Sequence, residues 1–350
     1  MSIVCTSNLG WLISHCDYIS SVYEHMPLGK QMKLKKELFE INVPYIRKNK
    51  RGKAPECAIL KKAHIKNVEV LWILDVYNSL FNDFKNHFNP NYGEIDNKCA
   101  LEMSAKVYET TKDLVIVNAE GANIGPNIYR KICNGDYIFP ENCEFFCRDT
   151  KEISQCLSTK KFDLILLDPP WWNKYIRRKR KRSSHAYEMM YNKDLKDLNL
   201  ESLLNENGLI VVWCTNSPQH ISALKDEIFP KWGVQFISKW YWLKVTKRGE
   251  PICNFSEPPG KQPFEQIIFG CRNNRSILNP PNKKLVLSVP SALHSHKPPL
   301  VDLLKMYVPE SPKCLEIFAR YLLPNWTSYG NEVLKFQHES LYDDIPKEIY

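Results

Sequence analysis

Phe162-Asp163-Leu164-Ile165-Leu166-Leu167-Asp168-Pro169-Pro170-Trp171 decides the reading of this chain of 350 residues. An apolar run of strand length ends abruptly in an acid, two prolines and an indole. The prolines fix φ and carry no N–H, so the turn presents carbonyl oxygens and a carboxylate as acceptors only. An exocyclic amine on a flat aromatic base offers the matching donors, and Trp171 offers a face for such a base to stack on. Asp-Pro alone is ordinary turn chemistry. The four residues together, closing a buried strand, form a much rarer pattern.

The sequence around this stretch predicts the sheet that would hold it. From about residue 144 strand and helix patterns alternate, the signal for a parallel-rich α/β sheet. Residues 209–214 read as a buried strand, and Asn216-Ser217-Pro218 opens a helix with a cap and a first-turn proline. Residues 234–245 and 264–271 predict a late antiparallel pair across the loop 246–263. Leu300, Leu303, Leu304 and Tyr307 repeat at helical spacing, and residues 314–320 then read as another buried strand. Upstream, residues 59–88 predict one long or two short helices, residues 113–119 a short strand, and residues 126–133 a helical turn.

Asp168-Pro169-Pro170-Trp171 resembles the signature of the N6-adenine methyltransferase family of the MT-A type. Leu293-His294-Ser295-His296-Lys297-Pro298-Pro299, the strand containing Arg320, and Pro324-Asn325-Trp326-Thr327-Ser328-Tyr329-Gly330-Asn331-Glu332 are similar to its cofactor motifs, in the same order. The wording is nearest to the branch called methyltransferase-like protein four. The resemblance implies a Rossmann-like class I methyltransferase sheet with flanking helices and S-adenosyl-L-methionine as cofactor. For that branch it implies the 2′-O-methylated adenosine of U2 small nuclear RNA as substrate, with DNA adenine as the alternative. It also implies roles. Asp168 and the Pro169 carbonyl would accept the two amine hydrogens, with Pro170 and Trp171 completing the catalytic turn. Lys297, Arg320, Asn331, Glu332, Asp149 and Asp168 would meet the cofactor. Trp171, Tyr187 and Glu265 would line the base pocket. Leu322-Leu323 and Glu332 depart from the pattern of the messenger-RNA enzyme, which has His-Asn and Gln there.

Charge supports a polyanionic substrate. The net charge is +9, and Arg177-Arg178-Lys179-Arg180-Lys181-Arg182 follows the acidic turn almost directly. Such a run is a solvated loop, a phosphate grip or a nuclear-import signal. A weaker basic cluster occupies residues 47–53. The 12 cysteines show no paired zinc spacing, so they read as the reduced thiols of an intracellular protein, expected in the nucleus and also the cytoplasm. His294 and His296 lack further ligands, and no metal is implied. The start of the chain lacks a basic flank before its short apolar stretch, which argues against a secretory leader. With no apolar run near ~18 residues, no membrane partner is expected.

These readings divide the chain into an N-terminal α/β or helical accessory region at 1–140, a methyltransferase domain at 141–340, and a tail at 341–350. RNA, or else DNA, is the expected partner of a monomer. The rival from another class is an inactive RNA-binding scaffold on the same fold.

Overall fold

The computed structural model describes residues 1–45, 65–89, 96–114, 116–172 and 189–346. Among them, eleven strands form one sheet in the order β1 (Ile3–Ser7), β2 (Gly10–Ile13), β12 (Lys284–Ser288), β10 (Gln235–Lys244), β11 (Phe264–Cys271), β9 (Leu204–Cys214), β8 (Phe162–Leu167), β13 (Cys314–Ile317), β14 (Trp326–Tyr329), β7 (Cys143–Cys147) and β4 (Ala119–Asn123). Two small antiparallel pairs stand apart from it, β3 (Lys30–Leu34) with β15 (Tyr342–Pro346) and β5 (Ile128–Ile132) with β6 (Gly135–Phe139).

The central strands are apolar on both faces because both faces are covered. Along β8, Leu164 and Leu166 enter one core, while Phe162, Ile165 and Leu167 enter the other. Its neighbour β9 divides its side chains in the same way, with Leu209, Val211 and Trp213 on one side and Ile210, Val212 and Cys214 on the other. The strands from β9 through β8, β13 and β14 to β7 are all parallel. The late hairpin is present as expected: β10 and β11 pair antiparallel, with Trp242 opposite Glu265. The molecule is therefore the mixed α/β, Rossmann-like architecture that the sequence predicts.

Topology places the site. From β8 the chain moves to β9 on one side, whereas β13, on the other side of β8, leads away to β14. Connections that diverge in this way leave a crevice at the carboxyl ends of the two adjacent strands. Asp168 closes β8, and Phe318-Ala319-Arg320 closes β13, at that crevice.

The N-terminal third is woven into the same sheet. Strand β2 pairs parallel with β12, and the approach is so close that a Cβ on Gly10 would lie 1.9 Å from the Leu285 carbonyl oxygen. Helix α1 (His15–Val22) contributes to the core on one face, and α2 (Val68–Phe84) covers Tyr241, Leu243, Leu285 and Leu287 on the other. A third helix, α3 (Lys98–Thr111), packs by Val107.

Two local expectations fail. The strand predicted at 113–119 begins only at Ala119, because its pairing with β7 starts with Ala119 opposite Cys147. The helical turn predicted at 126–133 is strand β5. Cys133 takes φ 52° at the turn that pairs Ile132 with Gly135, and this reverses the chain into a hairpin.

Candidate active site

At the mouth of the crevice the acidic turn is held rigidly. The Pro169 carbonyl accepts the Trp171 N–H at 2.8 Å, and the Pro170 carbonyl accepts the Met190 N–H at 2.9 Å. A carbonyl oxygen has two lone pairs, so Pro169 keeps one for a further donor. Asp168 is buried. Its Oδ2 accepts from the Arg320 guanidinium at 2.7 Å, and its Oδ1 lies 3.6 Å from the Lys297 ammonium. That second distance exceeds hydrogen-bond reach, so Oδ1 retains acceptor capacity.

These contacts extend into a ribbon of alternating charge. Lys335 donates to Glu332 at 2.6 Å, and Arg320 bridges Glu332 at 3.0 Å to Asp168. Lys297 links Asp168 to Glu265, which it meets at 2.5 Å, and Lys244 also donates to Glu265. Burial alone would raise the Glu265 pKa, but Lys244 and Lys297 outweigh it and hold the carboxyl well below its ordinary range. Burial pulls Lys297 down, and Asp168 and Glu265 more than compensate, so its ammonium is held charged. The Lys297 ammonium also lies 5.5 Å from the Trp213 ring centroid and 5.8 Å from that of Trp242.

Beneath the ribbon lies an acid that the sequence reading passed over. Glu316 sits inside β13, 4% exposed, and its Oε2 has no hydrogen-bond partner among the described residues. Burial, with the Asp168 carboxylate nearby, pushes its pKa up to about 8 against the pull of Arg320. The available signal was an acid in the middle of an apolar strand.

The other expected residues share this edge of the sheet. Asp149 follows β7 and caps a turn through its Oδ1, which accepts the Lys151 N–H at 2.9 Å. Strands β14 and β13 separate it from Asp168. Asn331 is exposed just after β14. Before it, Gly330 has φ 146°, and a Cβ there would stand 3.1 Å from Phe318 Cα, itself in a residue with φ 64°. The two strand ends thus pass each other in close contact, with Arg320 after one and Asn331 after the other. Acids, an amide and cations at neighbouring strand ends are a set that fits the amino-acid and ribose groups of S-adenosylmethionine.

Trp171, expected to stack on the base, is closely held. It is 7% exposed, its indole N–H donates to the Trp213 carbonyl at 2.8 Å, and its ring lies against His220 at 5.0 Å. Its polar edge is fastened to the neighbouring strand, which fixes the plane of the ring. A more open aromatic surface lies beside it, where Trp172 and Tyr191 stack 6.2 Å apart and 22° from parallel. Tyr187, Arg177, Arg178, Lys179, Arg180, Lys181 and Arg182 lie outside the described residues.

Comparison with known proteins coincides with this edge. Residues 162–332 match the MT-A70 family. This segment is an MT-A70 domain. It begins at the first residue of β8 and ends at Glu332, so it encloses the charged ribbon apart from Lys335. Over 213 residues the chain is 38% identical to the mouse N(6)-adenine-specific methyltransferase METTL4, covering 58% of this chain and 44% of that protein. It is 34% identical over 218 residues to the N6-methyladenosine RNA methyltransferase MTA1 of Pyricularia oryzae, covering 59% of this chain and 56% of the relative. It is also 34% identical over 221 residues to a DNA N6-methyl methyltransferase of Caenorhabditis elegans, covering 62% and 58%. The chain thus spans between two fifths and three fifths of each relative. Proteins bearing MT-A70 domains like this one include N6-adenine methyltransferases named for RNA and for DNA.

Proposed function

We propose that this protein is an S-adenosylmethionine-dependent methyltransferase acting on adenine N6 in RNA. The observation that carries the reading is Asp168, buried at the carboxyl end of β8 with Oδ2 tied to Arg320 and Oδ1 left as an acceptor. An adenine amine is a weak nucleophile because its lone pair is conjugated with the ring. Asp168 Oδ1 accepts one amine hydrogen and the spare lone pair of the Pro169 carbonyl accepts the other, drawing the nitrogen toward tetrahedral geometry. S-adenosylmethionine, when bound, would supply a methyl already activated on a sulfonium sulfur, the S–C bond breaking to leave a neutral thioether. Asp168 then receives the proton that the nitrogen sheds as its new C–N bond forms. Arg320 holds Asp168 in place for this, with Lys297 beside it, and preorganised groups of this kind supply much of an enzyme's acceleration.

The 2′-O-methylated adenosine of U2 small nuclear RNA is the substrate we favour, on the wording of the motifs around His296 and Trp326. DNA adenine is the second reading, favoured by the name of the nematode relative. Transfer of labelled methyl to matched RNA, 2′-O-methylated RNA and DNA oligonucleotides, followed by nucleoside mass spectrometry, tests both. Strongest labelling of the 2′-O-methylated RNA is expected. Equal labelling of all three refutes the sugar preference, and no labelling of any refutes the reaction.

A further inference from the structure

Glu265 and Gln266 are consecutive on β11 and so point to opposite faces of the sheet. Glu265 enters the charged ribbon. Gln266 enters a separate cleft of about 360 Å³ on the far face, within the size range of ligand sites. Its amide is 1% exposed. Gln266 Nε2 donates to Asn216 Oδ1 at 3.3 Å, and Asn216 Nδ2 donates in turn to the Phe264 carbonyl at 2.6 Å. That chain orients the Gln266 side chain and leaves its Oε1 without a partner among the described residues. A buried acceptor left unpaired is costly, and the missing group is a donor.

The charge around the cleft excludes one class of occupant. Lys239 is taken by Glu69, which also receives the Tyr241 hydroxyl at 2.6 Å. The Lys225 ammonium lies over the Phe236 ring at 4.3 Å, and Asp226 accepts from Ser222 at 2.7 Å. Two cations offset two anions, so the cleft is not built for a phosphate. Its apolar lining includes Ile221, Phe264 and the Pro258-Pro259 pair. Flat apolar surfaces, paired amides and one orphan acceptor suit a neutral planar heterocycle that presents an N–H edge.

Position supplies the identity of that heterocycle. The helix Pro218–Ala223 is a wall shared by the two sites. On one side its His220 meets the Trp171 ring and, at 3.0 Å, the Trp172 carbonyl. From the same helix Ile221 lines the cleft. The cleft is thus about one helix diameter, on the order of 10 Å, from the acidic turn, a distance that neighbouring nucleotides of a single strand can bridge. We propose that this cleft is a second base-binding subsite, which takes an unpaired nucleobase flanking the target adenine and reads its N–H edge through Gln266. Splayed single-stranded bases recognised on their hydrogen-bonding edges are the usual basis of sequence-specific RNA reading. The inference rests on the nucleic-acid reading of the Asp168 crevice and adds sequence context to it.

The test uses the full chain and short fluorescent single-stranded oligonucleotides carrying one adenine, with an abasic residue placed at each flanking position in turn. Binding is read by anisotropy and methylation by transfer of labelled methyl. For the wild type, the abasic residue should weaken binding at one flanking position by roughly 5- to 150-fold, the range of one good base contact. Gln266→Met should abolish that position's preference while leaving the affinity for the matching abasic strand unchanged. Ile221→Trp, which fills the cleft from the helix and spares the buried amide, should do the same. Indifference of the wild type to every abasic position overturns the subsite, as does a preference that survives in both variants. Because anisotropy is read independently of turnover, binding preference without methyl transfer would overturn the proposed reaction and leave the subsite standing.

Discussion

Replacing Glu316 with Gln should make the protein more stable, and increasingly so as pH rises. The folded protein holds the Glu316 proton far more tightly than an unfolded chain would, with its pKa moved from an ordinary 4.5 to about 8. Stability from this group is therefore complete below the unfolded pKa. It is lost progressively as pH climbs through the interval from 4.5 to about 8, where folding must either retain a proton or bury a charge. At 1.36 kcal/mol per pKa unit the full gap is on the order of 5 kcal/mol. Gln has nearly the same shape and never ionises, so the variant escapes the loss. Between pH 5.5 and 8 its advantage over the wild type should widen by about 3 kcal/mol. Urea denaturation of both proteins across that range measures the difference directly, since every other titrating group cancels. Parallel stability curves would show that Glu316 is ionised in the folded protein and that its isolation beneath Asp168 has been misjudged.

Asp168→Asn should lower methyl transfer at least ~100-fold, the scale of one preorganised acceptor, with cofactor binding still measurable by calorimetry; near-normal turnover would remove the mechanism. Lys297→Met breaks a buried link between Asp168 and Glu265 and should cost about 3–5 kcal/mol in urea denaturation, whereas unchanged stability would mean that the ammonium contributes no net pairing. Asn331→Ala should weaken S-adenosylmethionine binding by roughly 1–3 kcal/mol, and normal calorimetric affinity would move the cofactor away from the end of β14. Replacing Arg177, Arg178, Lys179, Arg180, Lys181 and Arg182 with Ser or Gln should flatten the salt dependence of RNA binding by up to ~0.7 log unit per lost contact; an unchanged slope would leave the run as an import signal only.

The parts of the site visible in the sequence are those fixed locally. An apolar run that stops at Asp-Pro-Pro has to be a buried strand with an acceptor turn at its end, and β8 is that strand. The residues that define Asp168's environment come from distant segments. Arg320 and Lys297 were placed there by family likeness alone, since no local pattern shows that a guanidinium 152 residues away meets this carboxylate. The orientation of Trp171 was not legible for the same reason. Its orientation is set by the Trp213 carbonyl on an adjacent strand, and a periodicity within one strand says nothing about its neighbour. Glu316 was missed although residues 314–320 read as a buried strand, because that reading does not show that its Oε2 is left without a hydrogen-bond partner among the described residues. Strand β5 was misjudged because five residues are too few for period 2 and period 3.6 to be told apart.

The pairing of β2 with β12 fixes an order of events during synthesis. The Lys284 ammonium and the Asn8 carbonyl meet across 276 residues of chain. At typical ribosomal rates of about 5–20 residues per second, the first strands wait roughly a quarter of a minute to a minute for the edge they will join. Throughout that interval the apolar side chains of β2 and α2 have no sheet to cover, and such surfaces aggregate when left exposed. The nascent segment carrying β2 is therefore a natural client for a chaperone, and translation speed between β2 and β12 becomes a determinant of yield.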